Sequence, residues 1–154
     1  MSAYLYAIIP YKSKEDVVFD ETDSCIFFPV IPELKDIESE FADQESLILH
    51  KGFLVINTCY RQSAFTENQN GYNWMREEIY KIAKALNACE VWYVEELVYD
   101  EMDSSGFSFD QWRESLKTEK ASYVVELSVD VLKGSTVYSY YHDDFSDIIL
   151  KESL

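Results

Sequence analysis

Apolar positions recur along this chain in two rhythms, one of period two and one near 3.6, and each rhythm marks an element. Ala3 to Ile9 is apolar at almost every position and is stopped by Pro10, as in a strand covered on both faces. Residues 12–24 are polar and acidic and read as a loop. Cys25 to Phe28 predicts a short second strand, closed by Pro29 and Pro32. Pro32 suits the first position of a helix. Leu34, Ile37 and Phe41 then follow at i, i+3 and i+7, with Glu33, Asp36, Glu38 and Glu40 between them. That spacing predicts an amphipathic helix of about three turns with an acidic outer face. Leu47–His50 and Phe53–Tyr60 flank Lys51-Gly52, the signature of a hairpin. Residues 61–73 form a polar loop, and Met75, Ile79, Ile82, Ala83 and Leu86 predict a helix over 74–86 that stops at a left-handed Asn87. Val91 to Val94 reads as a buried strand.

In the second half, Glu95 to Asp103 is a helical turn or a loop, and Ser108 with Gln111 forms a capping box for a short helix that buries Phe109, Trp112 and Leu116. Tyr123, Val125, Leu127, Val129 and Val131 alternate with a mostly polar set, a strand with one wet face. Lys133-Gly134 turns the chain into Thr136–Tyr141 to complete a hairpin. Phe145, Ile148, Ile149 and Leu150 predict a last docking helix. No repeat of 20–50 residues is visible. The expected architecture is a single α+β domain over 1–154: a mainly antiparallel or mixed sheet with about three helices packed on one face. Met75, Ile79, Ile82, Leu86, Val91, Tyr93, Val125, Leu127 and Val129 are its expected core, with Trp74, Trp92 and Trp112 also inside.

Composition adds a sign. The 154 residues carry a net charge of −16, with 29 acids against 13 Lys and Arg. Nucleic-acid binding needs clustered cations to displace counterions, so it is excluded as an expectation, and anionic membrane surfaces are disfavoured likewise. The same field accelerates encounter with a basic protein. Three widely spaced cysteines, Cys25, Cys59 and Cys89, make neither a disulfide framework nor a zinc ribbon, and the strand settings of Cys59 and Cys89 suit buried free thiols. With no signal-peptide pattern and no apolar run of bilayer length, the expected location is cytoplasmic.

Catalytic signatures are missing. Four glycines make neither a dinucleotide nor a P-loop pattern, and the two histidines, His50 and His142, form no metal motif. No cofactor or metal is expected; His142-Asp143-Asp144 reads as a solvated acidic turn. Cys59 with His50 across the first hairpin is a formal nucleophile pair, and paired carboxylates are a second enzymatic alternative. A structural, self-associating subunit is a third class. The densest feature is acidic: Glu95, Glu96, Asp100, Glu101 and Asp103 fall within nine residues free of Lys and Arg. Tyr140 and Tyr141 precede Asp143 and Asp144. These nine residues are the candidate surface for a basic partner, because tyrosine contributes contact area with a polar tip. In size, acidity and lack of catalytic motifs the chain is similar to the small cytoplasmic immunity proteins that neutralise bacterial toxins. That likeness of character implies a toxin domain, such as a basic nuclease, blocked by occupation of its active site.

Overall fold

Tyr4–Pro10 (β1) has no polar face. Leu5, Ala7 and Ile9 point to one side, Tyr6 and Ile8 to the other, and none is more than 7% exposed. Such a strand must be covered twice and belongs inside a sheet. In the computed structural model, which describes residues 4–13, 25–61, 69–105, 109–114, 117–118, 134–142 and 145–153, β1 lies between Phe53–Arg61 (β4) and Glu90–Glu95 (β5), antiparallel to both. Cys25–Phe27 (β2), Leu47–His50 (β3), Lys117–Thr118 (β6), Gly134–His142 (β7) and Phe145–Ser153 (β8) complete one sheet of order β2-β3-β4-β1-β5-β8-β7-β6. Every pairing is antiparallel. Six strands have four residues or more, and the edge strands β2 and β6 are shorter.

That order is palindromic. From one edge it runs β2-β3-β4-β1 and from the other β6-β7-β8-β5, the same path four strands later. The halves meet antiparallel at β1 and β5, as an approximate two-fold requires. Each half contains one antiparallel strand pair that ends in a His–Phe pair: His50 opposite Phe53, and His142 opposite Phe145.

Two helices cover the sheet. Gln69–Ala85 (α1) lays Met75, Ile79, Ile82 and Ala83 on the Leu5 face. It starts five residues before the expected Trp74 and ends as expected: Asn87 takes a φ of 55°, Ala88 N–H donates to the Ala83 carbonyl at 3.0 Å, and Asn87 N–H donates to that of Lys84 at 3.1 Å. Glu96–Ser105 (α2) seats Val98 and Tyr99 on the Tyr6 face. The expectation of about three helices on one face is therefore corrected: two helices, α1 and α2, pack on the sheet, on opposite faces, and Phe109–Glu114 (α3) is a short helix of six residues. The missing helix is 33–41. Leu34 and Phe41 are buried as its stripe requires, but the backbone makes a 3-10 turn at Pro32–Leu34 and then tight turns. Ser39 is the physical reason: its hydroxyl donates to the Glu78 carbonyl at 3.0 Å and accepts from Phe41 N–H at 3.4 Å, competing with helical hydrogen bonds.

The C-terminal segment is a second correction. It is strand β8, not a helix, because β5 is apolar on both faces and needs a neighbour on its second edge. Ile149 enters the Tyr6-side core. Glu152, on the opposite face, is fully buried against Arg76 of α1 in an ion pair. Of the expected core, Met75, Ile79, Ile82, Leu86, Val91 and Tyr93 are buried; Val125, Leu127 and Val129, the strand around them and Ser108 lie outside the described residues. Trp92 is buried, but Trp74 stands 37% exposed.

The buried ion pair ties α1 to β8, and stability measurements test it. Breaking such a pair leaves a buried charge uncompensated, so Glu152→Ala lowers the unfolding free energy by about 3–5 kcal/mol. Arg76→Met combined with Glu152→Leu costs far less. Equal losses in urea titrations of the two variants would contradict this packing of β8.

Candidate interaction surface

The strand register divides the sheet into two ends. At the end opened by Tyr4, β1, β3 and β8 begin while β2, β4, β5 and β7 finish. Pro10, the Lys51-Gly52 turn, Glu90, Gly134 and Ser153 mark the opposite end. Tyr4, Tyr60, Trp74 and Leu97, four of the large apolar side chains that stand exposed among the described residues, gather at the Tyr4 end. Tyr4 opens β1, Tyr60 nearly closes β4, and Trp74 packs on Tyr60 with ring centroids 5.8 Å apart. Leu97 follows the last residue of β5 by two, whereas Phe27, which ends β2 and leads into the exposed Phe28 and Val30, is level with Ile48, Val55 and Ile8 further along the sheet.

The carboxylates singled out by sequence partly share this end. Glu95 and Glu96 close β5 and open α2, half-buried, and Asp100 is exposed one turn later. Glu96 Oε2 accepts from Tyr4 N–H at 3.5 Å. Glu96, Asp100 and Asp103 occupy one helical stripe at i, i+4 and i+7. The backbone of Glu101 and Asp103 is helical, and their side chains lie outside the described residues. Tyr140 and Tyr141 end β7 opposite Asp147 and Ser146, two strands from β5, about 10 Å across the sheet. Their side chains, and all of Asp143 and Asp144, lie outside the described residues. The register thus brings the backbones of Glu95, Glu96, Tyr140 and Tyr141 to one end.

A second acidic stretch was hidden in the expected helix. Asp36, Glu38, Glu40, Asp43 and Glu45 are all exposed, and Lys35 is the one cation among residues 33–46. Tyr60 Oη donates to Glu40 Oε1 at 3.3 Å, and Glu40 N–H donates to Glu78 Oε2 at 3.2 Å. A Lys81 hydrogen bond holds the Glu78 carboxyl below the usual carboxylate range. Phe41 carries this stretch on the rings of Tyr60 and Trp74, 6.2 and 5.8 Å away. Beside it opens a cavity of about 440 Å³, walled by Pro29, Ile31, Pro32, Leu34, Ala42 and Leu47. Acid density along 33–45 was visible in the sequence. The exposed rings were not, because strand apolarity alone does not say where a strand leaves the core.

Two of the thiols depart from expectation. Cys59 and His50 do not meet: His50 sits beside the turn, whereas Cys59 lies six residues further along β4, about 20 Å away. The strand neighbour of His50 is Cys25. His50 is buried: it stacks on Phe53 at 4.5 Å, and its Nε2 lies 2.8 Å from Tyr99 Oη, a hydrogen bond that ties α2 over β3. All three thiols are free, but Cys59 and Cys89 are not buried as expected. Cys25 is half-buried; Cys59 is exposed at a left-handed residue, φ 58°, in the bulge where the register of β4 on β1 shifts; Cys89 is exposed in the turn before β5. Among the described residues no group of three or more His, Cys, Asp or Glu could hold a metal ion, and no helix is long and apolar enough to cross a membrane.

Tyr6 reports the electrostatics of this end. Its phenol is pushed up from 10.0 to about 12, first by burial and then by the carboxylates of Glu96 and Asp100. The folded state therefore holds the proton more tightly than the unfolded chain. Its contribution to stability is complete below pH 10 and is lost as pH rises toward 12. Ring-carbon NMR should give Tyr6 a midpoint near 12, and Tyr6→Phe should reduce the alkaline loss of stability; a midpoint at 10 would contradict the burial. No protein-family model, no curated protein and no solved structure matches the chain.

Proposed function

We propose that the chain is a binding protein that docks a basic protein partner on the Tyr4 end of its sheet. One observation carries this reading: the exposed side chains of Tyr4, Tyr60, Trp74 and Leu97 stand at one end together with carboxylates of both acidic stretches, Glu40 on Tyr60 and Glu96 on Tyr4. The two kinds of group do different work. Aromatic and aliphatic contacts hold a complex together, and charge steers its formation. A net charge of −16 repels nucleic acids, anionic membranes and further copies of the chain, and attracts a basic protein. The likeness in size and acidity to immunity proteins makes a basic toxin domain the first partner to test, and Tyr140, Tyr141, Asp143 and Asp144 belong to the proposed surface.

Charge reversal separates a docking face from a solubilising one. The chain is used to capture its partner from the native host, and association rates are then measured against that purified partner. Glu95→Lys with Asp100→Lys should slow association by about tenfold at low ionic strength, and the difference should shrink at high salt, where screening is short-ranged. Glu114→Lys, exposed beside the Arg113–Glu90 pair at the opposite end, should change the rate far less. Equal rates for the double reversal and the wild type at low salt, or a captured partner that is acidic, would overturn the proposal.

A further inference from the structure

We infer that the cavity beside β2 receives one apolar side chain from an extended segment of the partner, flanked by lysine or arginine; this rests on the proposed function and names the chemistry of one part of that surface. Phe27 is 61% exposed, Phe28 56% and Val30 77%; Val30 lines a cavity of about 440 Å³ with mainly apolar walls, and Phe27 and Phe28 directly precede its first lining residue, Pro29. A cavity of that size accommodates a leucine- or phenylalanine-sized group. The backbone holds this arrangement against its own preference. Phe28 has a φ of 57°, a left-handed conformation disfavoured for an L-residue with a bulky side chain, yet its ring remains in solvent. Strain that does not serve burial in the chain's own core is available to present the ring to something else.

Charge selects the occupant. Lys35 and Asp43 are the charged residues of the cavity wall, and Asp36, Glu38, Glu40 and Glu45 are exposed along the same stretch. A second copy would bring its own carboxylates and its −16 charge against this rim, so self-association is disfavoured. A segment with cations beside an apolar anchor is complementary on both counts. Because β2 is an edge strand of three residues, that segment can lie extended along its outer edge and use main-chain hydrogen bonds, with the anchor turned into the cavity.

Short capped peptides with a central leucine between pairs of lysines test this against the full chain by calorimetry and amide NMR. The leucine peptide should bind about tenfold more tightly than one with glutamine at the centre, since a buried apolar anchor is worth at least that factor. It should shift the amides of Val30, Leu34 and Leu47. Two variants check the location: Val30→Ser at the exposed rim, and Ala42→Trp, which fills the cavity, should each reduce the preference for leucine while urea midpoints show that both remain folded. Equal affinity for the leucine and glutamine peptides overturns the cavity as an anchor site and leaves the basic-partner proposal standing. Failure of the lysine peptide to bind also overturns this inference, and the basic-partner proposal is then judged on its association rates. A glutamate-flanked peptide binding as well as the lysine-flanked one overturns the charge selection in both.

Discussion

Leu5 to Ile9 leave no side of β1 for water. Such a strand requires a hydrogen-bonded neighbour on each edge and an apolar layer on each face. β4 and β5 satisfy the edges, α1 covers the Leu5 face, and α2 covers the Tyr6 face. The ties that hold those layers follow from the same demand. Thr58 Oγ1 donates to the Leu5 carbonyl at 2.6 Å, Tyr99 reaches His50 across the second face, and Arg76 meets Glu152 beneath α1. With both faces of the centre occupied, the ends of the strands and the short edge β2 are where this sheet can meet another molecule.

How much of this the sequence discloses depends on whether an element is specified locally. The Lys51-Gly52 hairpin is legible because a two-residue turn needs a left-handed position and Gly52, at φ 93°, provides it. The α1 stop is legible for the same reason at Asn87. The 33–41 segment misleads because its apolar spacing is helical while its hydrogen bonds are decided by Ser39 and Glu78, 39 residues apart. Phe145, Ile148, Ile149 and Leu150 suit a helix or a strand equally, and the open edge of β5, a tertiary fact, decides for the strand. The palindromic order escapes a search for repeats of 20–50 residues because the two halves are offset by more than that: their shared trace, His50-x-x-Phe53 and His142-x-x-Phe145, lies 92 residues apart.

The surface divides in the same way. Local density of acid at 95–103 and 33–45 is a property of the sequence and can be read there. Exposure of Tyr4, Tyr60 and Leu97 is a property of where strands stop, and it emerges only when the register aligns the beginning of β1 with the ends of β4 and β5. The cationic side chains Lys12 and Lys51 stand exposed toward the other end, beside Tyr11 and Gly52, whose backbones are bonded at 3.1 Å. The sheet is thus polar in its surface chemistry along the strand direction.

The central claim is that partner contact falls on one end of the sheet. Amide hydrogen exchange of the chain alone and of its saturated complex with the captured partner tests it most directly. The account predicts added protection at Phe28 to Leu34, at Cys59 to Arg61 and at Glu95 to Val98, with the Lys51-Gly52 turn and Tyr11 unchanged. Protection gained at Lys51 to Phe53 and not at Cys59 to Arg61 or Glu95 to Val98 would contradict it.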